Sequence, residues 1–170
     1  MATYSLISSV TVGAGGAATI DFTSIPGTYT DLAVLVSARS VASSEDDLRL
    51  RFNNDTGNNY VFRSLYGSGS GSGGSGTGTI SFAYYGVIAG TSFTANTFTN
   101  MSAYIPNYAG SSYKSVSVDS VEENNATGTN ALLIANIWNN TAAITSITIS
   151  GASANLTQYS TAYLYGISNA

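Results

Sequence analysis

Hydrophobic and polar residues alternate with a period of two along most of this chain. In residues 47–53 (DLRLRFN), Leu48, Leu50 and Phe52 point one way while Asp47, Arg49 and Arg51 point the other. That pattern predicts a half-buried strand with a charged outer face. Residues 114–118 (KSVSV) repeat it with Val116 and Val118 inward, and Ala18, Ile20 and Phe22 form another such row, closed by the turn 24–27 (SIPG). Two segments, 32–36 (LAVLV) and 131–137 (ALLIANI), are apolar on both faces. Strands of that kind are expected in the middle of a sheet, covered on two sides. Residues 145–150 and 159–167 supply two more strands, with Gly-, Asn- and Ser-rich turns between segments. No segment has a convincing helical period. A helical turn at 43–47 or a helix over 131–138 is the weaker reading beside a strand. The total, roughly nine to eleven strands, predicts an all-β fold: an antiparallel β-sandwich, jelly-roll-like.

One stretch breaks the pattern. Residues 67–78 (GSGSGSGGSGTG) have the composition of a flexible coil. They are expected to be a mobile loop between two strands of one sheet, because residues 1–66 alone supply too few strands to bury both faces of 32–36. The chain therefore reads as one domain, 1–170. Its first ten residues show no turn before Gly13. They are expected to form an extended arm or an edge strand able to add to a partner's sheet.

Composition narrows the chemistry. There is no His and no Cys, only 8% of residues are charged, and the net charge is −4. Without His no Ser nucleophile can be assigned. Asp21, Asp31, Asp55 and Asp119 are available as carboxylates for glycoside hydrolysis, but nothing marks a pair among them. The expectation is a non-enzyme with no cofactor. Five Lys and Arg residues against nine Asp and Glu give no basic footprint for phosphates, so no nucleic-acid partner is expected. Neither a secretory signal pattern nor a long apolar run is present, so no membrane partner is expected and synthesis in a cytoplasm is. The Asn-x-Ser/Thr triplets at Asn54, Asn100, Asn125, Asn139 and Asn155 then reflect an Asn- and Thr-rich composition.

Three clusters remain. Residues 53–60 (NNDTGNNY) read as a hairpin turn, with 55–57 supplying a positive φ and Asn side chains closing Asx-turns; a cation or sugar site is the competing reading. Glu45-Asp46-Asp47 and Glu122-Glu123 read as solvated loops, with Asp47 near Arg49. Tyr159, Tyr163 and Tyr165 share one strand face and point to a core or a subunit interface, whereas Tyr84 and Tyr85 must point to opposite faces.

Residues 4–40 (YSLISSVTVGAGGAATIDFTSIPGTYTDLAVLVSARS), 46–60 (DDLRLRFNNDTGNNY) and the closing 162–167 (AYLYGI) together resemble small β-rich virion structural proteins of tailed bacteriophages. The Gly/Ser stretch departs from that pattern. The resemblance implies a β-sandwich that assembles on a virion, commonly as a homotrimer, as a capsid decoration (cement) protein on the major capsid protein. It brings no functional residues with it. The residues expected at the interface are Thr3, Tyr4 and Leu6 in the arm, the outward Arg49 and Arg51, and Tyr84 and Tyr85. The alternative is a tail-fibre or receptor-adhesion module that binds a host surface glycan through Tyr beside Asn and Asp, around 53–60 and 84–85.

Overall fold

The computed structural model describes residues 2–69, 71–123 and 129–168. Met1 of the expected arm, Ser70 of the Gly/Ser stretch and the Asn125 triplet lie outside the described residues. Among the described residues there are twelve strands and no helix: β1 (Thr3–Thr11), β2 (Thr19–Phe22), β3 (Asp31–Ala38), β4 (Asp46–Phe52), β5 (Tyr60–Ser68), β6 (Gly71–Ile80), β7 (Ala83–Ile88), β8 (Thr99–Pro106), β9 (Lys114–Glu123), β10 (Thr129–Trp138), β11 (Ile147–Gly151) and β12 (Thr161–Ser168).

They form two antiparallel sheets. The long one runs β1-β12-β3-β8-β9-β10-β5-β6, the short one β2-β11-β4-β7. Setting aside the hairpins β5–β6 and β9–β10 leaves eight strands. In that set the first and last strands pair, as do the second and second-last, with the remaining strands rolled inward from them. This is the jelly-roll winding. The two extra hairpins add to one sheet only, so the long sheet overhangs the short one beyond β8.

The inward rows meet in a single core: Leu32, Val34 and Val36 from β3, Leu48, Leu50 and Phe52 from β4, and Val116 and Val118 from β9. Ala18 is exposed and precedes β2, so only Ile20 and Phe22 of its expected row reach the core. Trp138 closes one end, stacked on Tyr60 at 6.3 Å and 5.4 Å from Phe52. Gly86 sits at φ +129 beside a bulge in the β4–β7 pairing, and an added Cβ would come within 2.6 Å of Ser120 Oγ. Only glycine fits that approach of β7 to the long sheet.

β7 is an edge, and a buried side chain serves as its missing neighbour. Asn136, 1% exposed on the inner face of β10, accepts from the Tyr84 backbone N–H at 2.8 Å and donates to the Tyr84 carbonyl at 3.0 Å. Asn136→Leu leaves the Tyr84 N–H and carbonyl, both paired with the amide, without that partner, and the expected loss is about 2–4 kcal/mol of stability in a urea titration. An unchanged midpoint would show that the backbone finds other partners.

The expected flexible loop at 67–78 is corrected. Residues 71–80 form β6, in register with β5 from Ser68↔Gly71 to Phe62↔Thr77. Gly73, Gly74 and Gly76 lie under β5 side chains. A Cβ added at Gly73 would lie 2.7 Å from Tyr66 Oη, and one at Gly76 would lie 2.6 Å from Arg63 Cδ. Cross-strand side chains over edge glycines supply the packing that the strand itself lacks. The strand tally rises accordingly from the expected nine to eleven to twelve. The expected arm is likewise an edge strand of its own chain, paired with β12 from Thr3↔Ser168 to Thr11↔Thr161.

Candidate functional site

Strand β10 is buried on one side only, and β3, whose outer-face Ala33 is covered, leaves Leu35 exposed on the same side. Leu32, Val34, Leu132 and Ile134 point into the core, while Leu35 (41% exposed) and Leu133 (61% exposed) stand on the outer face of the long sheet. The registers carry one row across that face: Tyr163, Leu35, Ser102, Asp119, Leu133, Leu65 and Gly74 lie side by side on six successive neighbours of β12 and on β12 itself. The adjoining row is Tyr165, Ala33, Tyr104, Ser117, Ala135, Arg63 and Gly76.

The relief of this face follows from side-chain size. Where β6 offers only glycine and serine, a depression of about 700 Å³ opens, lined by Leu65, Leu133, Ala135 and the aliphatic side of Arg63. A second, of about 430 Å³, lies toward β1 between Tyr4, Leu35, Tyr104 and Leu133, and a third, of about 230 Å³, lies between Leu65, Val121, Ala131 and Leu133. Leu133 borders all three.

The polar groups near the margins have partners within the chain. Asp31 accepts from Tyr104 Oη at 2.7 Å and from the Asn107 N–H at 2.8 Å. The phenol's hydrogen bond to that carboxylate holds the Tyr104 pKa above its ordinary value. Arg63 donates to the carbonyls of Phe62 and Thr77. Counting the six strands from β12 to β5 at about 4.8 Å spacing and about 20 Å of strand length gives a face of roughly 600 Å². That footprint, polar residues included, is somewhat below the ~800 Å² per partner of a standard interface.

The residues singled out from sequence fall in four places. Thr3, Tyr4 and Leu6 lie on β1 at one edge of the long sheet, with Tyr4 62% and Leu6 55% exposed, and Tyr4 meets Tyr165 edge-on at 6.4 Å. Arg49 and Arg51 lie on the opposite side of the molecule, half-buried on the outer face of the short sheet. The Arg49 guanidinium covers the Phe82 ring at 4.3 Å, and Arg51 Nε donates to the Ser81 carbonyl at 3.0 Å. Tyr84 is half-buried against Phe62 at 4.9 Å. Tyr85 is corrected outright: it is 1% exposed, and its hydroxyl donates to the Val34 carbonyl at 2.8 Å. The inward turn of β7 that buries it leaves Tyr85 no part in any surface.

The polar cluster 53–60 joins β4 of one sheet to β5 of the other, so it is a crossover and not a hairpin. Its positive φ values fall at Asn53 and Asn54, not at 55–57. Asn53 accepts from the backbone N–H groups of Thr145 and Ser146 and donates to the Ala143 carbonyl. Asp55 accepts from Trp138 Nε1 at 2.7 Å, Asn59 Nδ2 at 2.9 Å and the Gly57 N–H at 2.9 Å. These side chains hold the crossover together.

Asp21 accepts from Thr19 and Thr148 on the short sheet, while Asp31, Asp55 and Asp119 belong to β3, the crossover and β9. Tyr159, with φ +71 and 65% exposed, and Tyr163, 39% exposed, belong to the surface and not to the core. Sequence reasoning did not single out Leu35, Leu65, Val121 or Leu133 as surface residues. For Leu35 and Leu133 the signal is the two-sided apolar character of 32–36 and 131–137, which predicts cover on both faces without naming what supplies it. Among the described residues no group of three or more Asp or Glu is placed to hold a metal ion, and no helix is long and apolar enough to cross a membrane. The chain matches no family model, no curated protein and no solved structure.

Proposed function

We propose that this chain is a structural protein of a virion, a capsid decoration protein that assembles as a homotrimer through the outer face of the long sheet. One observation carries the assembly reading: strand β10 is apolar on both faces and the single chain covers only one of them, with Leu35 of β3 exposed on the same side. Burying apolar area at about 25 cal/mol per Å² favours a partner there, and charge along the two rows is confined to Arg63 and Asp119, whose desolvation is the main cost. The virion and the major capsid protein enter from the resemblance of residues 4–40 and 46–60.

Labelling the protein on purified particles tests the location. An even coat over the head is the expected result. Label confined to the tail would favour the adhesion reading, and particles without label would remove the virion from the proposal. Deleting residues 2–8 removes most of a paired strand, so lost capsid binding in that deletion would report on folding as much as on docking.

A further inference from the structure

The overhang of the long sheet leaves a cleft on the inner side, beside β7 and away from the outer face. It encloses about 380 Å³, within the roughly 300–1,000 Å³ of small-molecule sites. Its walls are aromatic: Phe62 and Tyr66 from β5 face Phe82 and Tyr84 at the start of β7. Its rim is polar: Glu45 and Asp47 are exposed, and Asn130 Nδ2 lies 3.3 Å from Glu45 Oε1 and 2.7 Å from Glu122 Oε2. Behind the rim, burial raises the Glu122 carboxyl above the usual carboxylate range, with Asn130 working against the shift and Glu45 adding to it. Burial also raises Asp47, with Arg49 opposing it.

We propose that this cleft binds one pyranose ring of a glycan, with a C–H face of the sugar on the rings of Tyr66 and Phe82 and its hydroxyls donating to Glu45 and Asp47. The surroundings choose among ligand classes. Glu45, Asp47 and Glu122 repel an anion. A cation would be opposed by Arg49, which does not line the cleft but covers the Phe82 ring at 4.3 Å and already offsets the charge of Asp47. A wholly apolar guest would strip water from the rim carboxylates and return no hydrogen bond. A neutral polyol supplies donors to the carboxylates and an apolar face to the aromatics.

The site does not depend on the assembly reading, so its test uses the full 170-residue chain as a soluble protein, with amide NMR spectra as the readout. The probes are the methyl glycosides of glucose, galactose, mannose, N-acetylglucosamine and rhamnose, with tetramethylammonium as the cation control. At least one glycoside is expected to move the amides of Glu45, Asp47, Phe82, Tyr84 and Asn130 saturably. The variant Glu45→Ala/Asp47→Ala, altered only at exposed positions, is expected to bind that glycoside about tenfold or more weakly, the loss of one or more hydrogen bonds. No saturable shift with any glycoside, shifts confined to other residues, or an unchanged affinity in the variant would each overturn the proposal. Saturation by tetramethylammonium alone would also overturn it and assign the cleft to cations.

Discussion

If the chain assembles through the outer face as proposed, Leu133→Asp will dissociate the oligomer and leave the fold of each chain intact. Leu133 borders all three depressions of the outer face and is 61% exposed in the single chain. In the monomer, therefore, the new carboxylate stands in water and replaces no core packing, and the thermal midpoint should fall only slightly, through the Asp119 carboxylate across the strand pair and the low strand propensity of Asp. In the assembly the same carboxylate would be buried among Leu35, Leu65 and Ala135 neighbours, with the Asp119 carboxylate directly across the strand pair. An unpaired buried charge beside a like charge costs several kcal/mol, and each 1.4 kcal/mol is a factor of ten in affinity. The expected weakening is about a hundredfold or more, read by sedimentation equilibrium over a concentration series. Arg49→Ala, on the opposite side of the molecule, should leave the association constant unchanged. A wild-type chain that stays monomeric throughout the series would overturn self-association through this face, and dissociation by Arg49→Ala would move the interface to the short sheet.

The same face explains where sequence reading succeeded and where it stopped. Period two in 47–53 and 114–118 placed Leu48, Leu50, Phe52, Val116 and Val118 in the core, because alternation and burial are the same fact on a pleated strand. The two-sided segments 32–36 and 131–137 were rightly central in their sheet. Centrality, however, concerns hydrogen-bonded neighbours, and cover concerns the layers above and below; a sequence states how apolar each face is without naming the layer that lies on it. The strand β6 was not legible at all. Gly and Ser have poor strand propensity, and what orders 71–80 is the reach of Tyr66 and Arg63 from the neighbouring strand, which is a tertiary effect. Tyr85 was missed for a related reason: adjacent residues must face opposite ways, but the alternation alone does not say which of Tyr84 and Tyr85 turns inward. The cleft was equally hidden, since its lining comes from residues 45–47, 62–66, 82–87 and 130–132, and it exists only because two inserted hairpins both joined the same sheet.

Asp55→Ala will be the most damaging single change outside the core, because one carboxylate collects three donors. The Trp138 indole, the Asn59 amide and the Gly57 N–H all point at it, and Trp138 in turn carries the ring contacts to Tyr60 and Phe52. Removing the carboxylate orphans the N–H of a residue only 1% exposed. With hydrogen bonds to charged groups worth about 1.5–3 kcal/mol each and not additive, the expected loss is about 3 kcal/mol, or roughly 6–12 °C in thermal midpoint for a chain of this size. The same contacts fix an acid signature. Burial alone would raise the Asp55 pKa, but the donors from Asn59, Trp138 and Gly57 outweigh it and hold the carboxyl below its ordinary value. The unfolded chain therefore binds that proton more tightly than the folded one, so the stabilisation is complete above about pH 4 and drains away below it. Glu122 and Asp47 work in the opposite sense. Their raised pKa values mean that the folded state takes up protons first, so they add stability as pH falls from neutrality toward the ordinary carboxylate range. Urea titrations across the acid range should show stability rising slightly and then falling. In Asp55→Ala the rise should persist and the fall should flatten; a fall of unchanged steepness would place the acid sensitivity on other carboxylates.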